Sequence, residues 1–212
     1  MTAELHPIPL SFRDSVPDHH RVFCHSGVFD GAALTVVYGV DLAEHRRRVR
    51  SAVSAVPDEQ LLAAAMTLPD DDLAPVSPRF TALLTGHEGH TVAAVVADPA
   101  GEVWGRRILE PVVDVLEITA EADSWTRGCA VAHEWVGYGP RVVRVAEQGT
   151  ADWSMLMTEA SHYGIGIVCG LQDDRVLEPA PFRPRRWTAA RWRFSELVYE
   201  QFLRLLPGGH LI

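Results

Sequence analysis

Two carboxylates interrupt an otherwise apolar and mostly β-branched run at residues 112–119. The run predicts a buried strand, so its acids, Asp114 and Glu117, need a cation or hydrogen-bond donors close by. Because side chains alternate along a strand, Glu117 and Thr119 are expected on one face with Val115, and Asp114 on the other. Asp114 is then a poor partner for Glu117. The structural alternative is that each acid accepts bonds from helix N-termini or arginines.

A second acid for a metal site is expected from the turn and strand that precede this run. Asp98 and Glu102 flank a predicted turn, and across a hairpin they lie close enough to Glu117 to share a cation. Carboxylate oxygens are the ligands that hard dications prefer. The predicted ligand set is therefore Asp98, Glu102 and Glu117, and the predicted metal is Mg²⁺ or Mn²⁺.

Histidine and cysteine clusters offer other metal or nucleophile candidates. Residues 18–25 hold Asp18, His19, His20, Cys24 and His25, and residues 87–90 hold His87, Glu88 and His90. Neither spacing is a recognised zinc pattern, and His20, Cys24 and His25 do not share one face of a strand. Cys129 and His133 stand four residues apart on a predicted helix, a spacing that suits a nucleophile and its base but more often reflects packing.

The C-terminal segment is positively charged, although the chain as a whole is acidic. Its arginines, interleaved with tryptophans, predict a nucleic-acid contact through Arg183, Arg185, Arg186, Arg191, Arg193 and Trp187. The alternative is a final helix over residues 189–206 whose arginines pair with carboxylates. The side chains expected to pack inward are those of Trp192, Leu197, Val198, Phe202 and Leu205 or Leu206.

The elements that must position these residues follow a strand, helix, strand, helix, strand order over residues 111–170. Short connections favour neighbouring parallel strands with right-handed crossovers. The strand at residues 111–120 is expected to be central, flanked by the strands that begin near Thr91 and Arg141. The whole pattern predicts an α/β fold, with a central mixed sheet and helices on both faces.

The first 75 residues predict a separate N-terminal α+β extension. Two strands joined through residues 27–31 precede a helix capped by Asp41 and a second helix that starts after Pro57. Three prolines and three aspartates at residues 69–78 then break regular structure. The predicted domains are residues 1–75 and residues 76–212, the latter an α/β core with a C-terminal helix.

From residue 79 to residue 170 the order is helix, three strands, helix and strand, which resembles the core of the PD-(D/E)XK, restriction-endonuclease-like superfamily. In that family an acid from the second strand and a Glu-x-Lys on the third bind magnesium and position water. Glu117, Ile118 and Thr119 match that motif by location, with threonine where lysine is expected. The resemblance implies that Glu117 and Thr119 are the catalytic positions. Without the lysine, the attacking water loses a cationic donor.

Composition limits the classes of function. The formal net charge is -9, and all 19 basic residues are arginines, which excludes Schiff-base and P-loop lysine chemistry. The charge disfavours nucleic acid, and no run is long enough to span a membrane. The N-terminus lacks signal-peptide features and three cysteines form no paired spacing, so we expect a cytoplasmic protein.

The sequence therefore predicts a catalytically impaired, nuclease-like protein that binds a protein partner, a second copy of itself or, less favourably, nucleic acid. The alternatives are an active metal-dependent nuclease and a small-molecule hydrolase that uses Cys129 or a histidine.

Overall fold

The structure, a computed structural model, describes residue 12 and residues 16–145, 153–170, 174–183 and 186–206. The strands within them are β1 (His20–Phe29), β2 (Ala32–Asp41), β3 (Ala74–Pro75), β4 (Ala93–Ala97), β5 (Val103–Arg107), β6 (Val113–Ala122), β7 (Arg141–Val145), β8 (Ile165–Cys169) and β9 (Asp174–Leu177). The helices are α1 (Leu42–Arg50), α2 (Glu59–Ala65), α3 (Pro78–Thr85), α4 (Gly89–Val92), α5 (Trp125–Glu134), α6 (Trp153–Tyr163) and α7 (Ala189–Leu205).

The larger sheet has six strands in the order β1-β2-β6-β7-β8-β9. Strands β6, β7 and β8 are parallel, and the remaining neighbours are antiparallel. The predicted α/β fold with a mixed sheet is confirmed, as are the interior position of β6 and its parallel neighbour β7. Helices α5 and α6 pack on the side chains of β7 and β8 that point to one face of this sheet.

Local sequence explains why β6 is followed by α5. Ser124 has extended backbone angles and its side chain caps the helix by accepting a bond from the backbone N–H of Arg127. On the inner side of α5, Gly128 faces Val143 of β7, and a Cβ on this glycine would lie only 2.3 Å from the Val143 Cγ1 atom. The missing side chain lets the helix approach the sheet closely.

The predicted second neighbour of β6 is wrong. Strands β4 and β5, expected beside it, form a separate three-stranded sheet in the order β3-β5-β4, and β2 pairs with β6 instead. Burial explains the choice: residues 34–40 of β2 are all buried, as an interior strand requires, whereas Val96 and Ala97 of β4 are exposed.

The predicted faces of β6 are also wrong, because the strand contains a bulge. Val37 pairs with Glu117 and Tyr38 pairs with Val115, so Leu116 is the extra residue. The register therefore puts Asp114 on the face of Glu117 and Thr119 and puts Val115 on the opposite face. A pattern of strict alternation cannot anticipate such an insertion.

The chain divides into two compact units that alternate along the sequence. One comprises Met1–Asp41, Val113–Arg185 and Gln201–Ile212 and contains the six-stranded sheet. The other comprises Leu42–Val112 and Arg186–Glu200 and contains the three-stranded sheet. The predicted domain boundary at residue 75 falls inside this second unit.

Each unit has its own apolar core. In the unit with the six-stranded sheet, the helices and parallel strands enclose Trp125, Val143, Leu156, Ile165 and Ile167. In the other unit, the core contains Leu61, Leu62, Leu84, Leu109 and Trp192. The C-terminal helix forms as predicted, with Trp192, Val198 and Phe202 buried and Leu197, Leu205 and Leu206 only partly buried. Among the described residues, no helix is long and apolar enough to cross a membrane.

Candidate functional site

Glu117 is buried, with 5% of its surface exposed, and its carboxylate is paired with an arginine. The Nη2 atom of Arg175 lies 2.9 Å from Oε1 and 2.8 Å from Oε2 of Glu117. The hydroxyl of Thr119 donates to Oε1 at 3.3 Å, and Arg175 also reaches Glu178 through Nη1 at 3.1 Å. Both oxygens of Glu117 are thus within bonding distance of one guanidinium group.

The pKa values of this pair reflect competition between burial and charge. Burial raises the pKa of Glu117 above its ordinary value, while Arg175 and the Thr119 hydroxyl pull it down without cancelling the effect. Burial opposes the charged form of Arg175, but Glu117 and Glu178 outweigh it and raise the pKa of the guanidinium. Arg175 is therefore a fixed positive charge beside Glu117.

Two of the predicted metal ligands lie elsewhere. Asp98 and Glu102 are close to each other at the turn between β4 and β5, where Asp98 Oδ1 accepts the backbone N–H of Glu102 at 2.8 Å. This bond closes the turn. Glu117 belongs to the six-stranded sheet, so the hairpin that was expected to unite the three acids is not formed.

Only some of the side chains that were predicted to contact nucleic acid are accessible in the arginine-rich segment. Arg183 and Arg186 are exposed, and Arg185 lies outside the described residues. The guanidinium of Arg191 lies 4.1 Å from the centroid of the half-buried Trp187 ring, so one face of that ring is already covered. Arg193 is half-buried on α7.

Cys129 and His133 come together, but without the geometry of an activated nucleophile. The Sγ atom lies 3.5 Å from His133 Nδ1, and that nitrogen also lies 2.8 Å from the carbonyl oxygen of Cys129. Burial raises the pKa of the Cys129 thiol, which disfavours the reactive thiolate. His87, Glu88 and His90 are exposed and do not form a group with the spacing of metal ligands.

One group of side chains with the spacing of metal ligands does occur in the described part of the chain, and it contains His19, His20 and Asp41. His19 Nε2 and His20 Nε2 lie 3.8 Å and 4.0 Å from Asp41 Oδ2. His20 Nε2 also lies 4.0 Å from Asp114 Oδ2. The sequence pattern singled out both histidines and Asp114 but did not join them with Asp41 in one group, because only strand pairing brings Asp41 of β2 and Asp114 of β6 beside His20.

Comparison with known proteins gives no relative: no protein-family model, no curated protein and no solved structure matches this chain.

Proposed function

We propose that this chain is a non-catalytic α/β protein that acts by binding, and that its partner is a second copy of itself. The observation that supports the first part is the pairing of Glu117 with Arg175. An acid that holds a catalytic dication needs free oxygens, whereas here a permanent positive charge lies within 3 Å of both. A dication added at this point would be repelled by the guanidinium.

The alternatives are less well supported by the geometry. An active nuclease of the PD-(D/E)XK kind needs a metal at Glu117 and a cationic donor near Thr119, and the chain has no lysine. A hydrolase that uses Cys129 needs a thiolate, which burial disfavours. A nucleic acid is repelled by the net charge of -9, and the exposed Arg183 and Arg186 would have to outweigh that repulsion.

The surface best suited to a protein partner is the outer edge of the three-stranded sheet. Strand β4 is the last strand of that sheet and contains only alanine and valine. Val95 packs toward the core, whereas Val96 is 53% exposed and pairs with Trp104 on the outer face. An apolar edge strand is a template for a further strand.

The charges at the two ends of the β4–β5 hairpin favour a second copy as that further strand. Glu102, at the turn end, and Arg106, near the opposite end, are both exposed, and neither has an ion-pair partner in the described part of the chain. Antiparallel pairing of β4 with its copy about a two-fold axis puts the acidic turn of each protomer near the arginine end of the other. The same strand edge is thus complementary to itself.

Val96→Arg is expected to convert a dimer into a monomer. An arginine at this position adds one positive charge from each protomer to the short strand pair, where the two charges repel each other and replace an apolar contact. Sedimentation velocity over a range of protein concentrations measures the change. The matched control is Met155→Arg on α6, also an exposed apolar side chain, which should leave the dimer intact. A monomeric wild-type protein, or equal behaviour of the two variants, would contradict the proposal.

A further inference from the structure

The side chain of His20 is unusually enclosed for a histidine. Only 8% of its side chain is exposed, and its Nδ1 atom is buried without a hydrogen-bond partner among the described residues. Its Nε2 atom points toward Asp41 and Asp114, but at 4.0 Å from each oxygen it is too far for a hydrogen bond. A buried Nδ1 atom without a hydrogen bond carries an uncompensated desolvation cost.

The groups around His20 are the donors that compensate such a cost through a metal. His19 contributes a second imidazole nitrogen, and Asp41 and Asp114 contribute carboxylate oxygens. Two imidazoles with carboxylates are a donor set that suits Zn²⁺ and similar dications, whereas Mg²⁺ prefers oxygen ligands alone.

The positions of His19, His20 and Asp41 fit three corners of a tetrahedral ion after a contraction. Ligands at about 2.0–2.1 Å from zinc in a tetrahedron are separated from one another by roughly 3.3–3.4 Å. The separations of Asp41 Oδ2 from the two imidazole nitrogens are 3.8 Å and 4.0 Å, so these pairs have to close by about half an ångström. Asp114 lies 4.0 Å from His20 but outside the group of mutually close ligand atoms, so its side chain has to move further. His19, with 57% of its side chain exposed, and Asp114, with 50%, can make this movement freely.

The fold holds the remaining ligands in place. His20 and Asp41 are paired residues at the open end of the β1–β2 hairpin, and Asp114 lies opposite Gly39 in the β2–β6 register. Gly39 has no side chain, and a Cβ built there would contact the Cβ atom of His20 at 3.7 Å. The backbone ladder therefore fixes the positions of His20, Asp41 and Asp114 in the sheet independently of any ion, while the exposed side chain of Asp114 can still adjust.

We propose that His19, His20 and Asp41, with Asp114 as the fourth ligand, bind one transition-metal dication of the zinc class. The site is independent of Glu117 and of the dimer edge at β4. It is open to solvent on the His19 side, so the ion can enter and exchange without unfolding of the sheet.

Calorimetric titration of the full chain with ZnCl₂ tests this site. We expect one ion per chain, with the affinity lowered at least about tenfold in His19→Ala, since even the outer partners of metal ligands contribute about 10- to 100-fold. His20→Ala and Asp114→Asn should weaken binding in the same direction. The double variant His87→Ala with His90→Ala, which removes two exposed histidines elsewhere, is the control and should bind as the wild type does.

His19→Ala decides the result if the buried His20→Ala variant fails to fold, because His19 is exposed and its loss leaves the sheet intact. Titration with CoCl₂ gives a second signal, since tetrahedral Co²⁺ with nitrogen ligands absorbs strongly in the visible range. No binding of Zn²⁺ by the wild-type protein, or unchanged affinity in His19→Ala, would overturn the proposal.

Discussion

Arg48→Met is expected to lower the free energy of unfolding by about 3–5 kcal/mol, the usual cost of leaving a buried charge without its partner. Arg48 is fully buried, and its Nη1 and Nη2 atoms donate to the two oxygens of Glu196 at 2.7 Å each. Its Nε atom donates to Glu44 at 2.9 Å. Glu196 is also fully buried, and the bonds from Trp192 Nε1 and the Val56 backbone cannot replace a full positive charge.

The neighbouring arginine on α1 provides the matched control. Arg47 also bonds to Glu44, at 2.6 Å through both Nε and Nη2, but its side chain is 35% exposed. Arg47→Met should cost at most about 1 kcal/mol, because Arg47 is partly solvated and the buried Glu44 keeps its bond from Arg48. Urea unfolding of both variants measures the difference. If both variants lose a similar free energy of unfolding, the burial of Arg48 does not make its ion pairs more important for stability than those of Arg47.

Gly128→Ala is expected to lower the free energy of unfolding by about 1–3 kcal/mol, as insertion of extra atoms into a close-packed core does. The new Cβ would lie 2.3 Å from Val143 Cγ1, and Val143 is fully buried on an interior strand. Since alanine is the better helix former, by roughly 1 kcal/mol, any net loss measures the contact with the sheet and not helix propensity.

Gly137→Ala is the control for this substitution, because a Cβ there meets no atom of the described residues within 4 Å. Its effect should stay within about 0.5 kcal/mol, as is usual at open surface positions. Thermal unfolding followed by circular dichroism compares the two. If Gly128→Ala is as stable as the wild type, the close approach of α5 to β7 does not require glycine.

The parts of the fold that the sequence predicts well are those set by neighbouring residues. The alternation of strands and helices from β6 to β8 depends on capping residues, glycines and short connections, and all of these are local signals. The C-terminal helix follows from the spacing of Trp192, Val198 and Phe202. These features need no knowledge of which distant strands pair.

The errors concern pairings between distant segments. Nothing local shows that β2, rather than β4, lies beside β6, because both are apolar and only their burial distinguishes them. The extra residue at Leu116 reverses the faces of the strand, and no composition signal marks it. The pair of Glu117 and Arg175 joins residues 58 positions apart in sequence, through a strand, β9, that the sequence did not predict.

The sequence indicates only part of the histidine cluster, because the acids in it come from distant strands. His19 and His20 are visible as adjacent potential ligands in the sequence, but Asp41 looks like a helix cap and Asp114 like an acid on the wrong face. The strand register brings them together. A search for acids at the positions opposite a histidine in a predicted hairpin would have suggested Asp41.

Metal-dependent cleavage of double-stranded DNA is the most direct test of the claim that Glu117 has a structural and not a catalytic role. The assay compares the wild-type protein with Glu117→Gln, in Mg²⁺ and in Mn²⁺ at physiological salt, after both variants are shown to be folded. With Arg175 on both carboxylate oxygens and threonine at position 119, we expect no cleavage by the wild-type protein above that of Glu117→Gln. Cleavage that requires the metal and disappears in Glu117→Gln would contradict this account and show that the ion displaces Arg175.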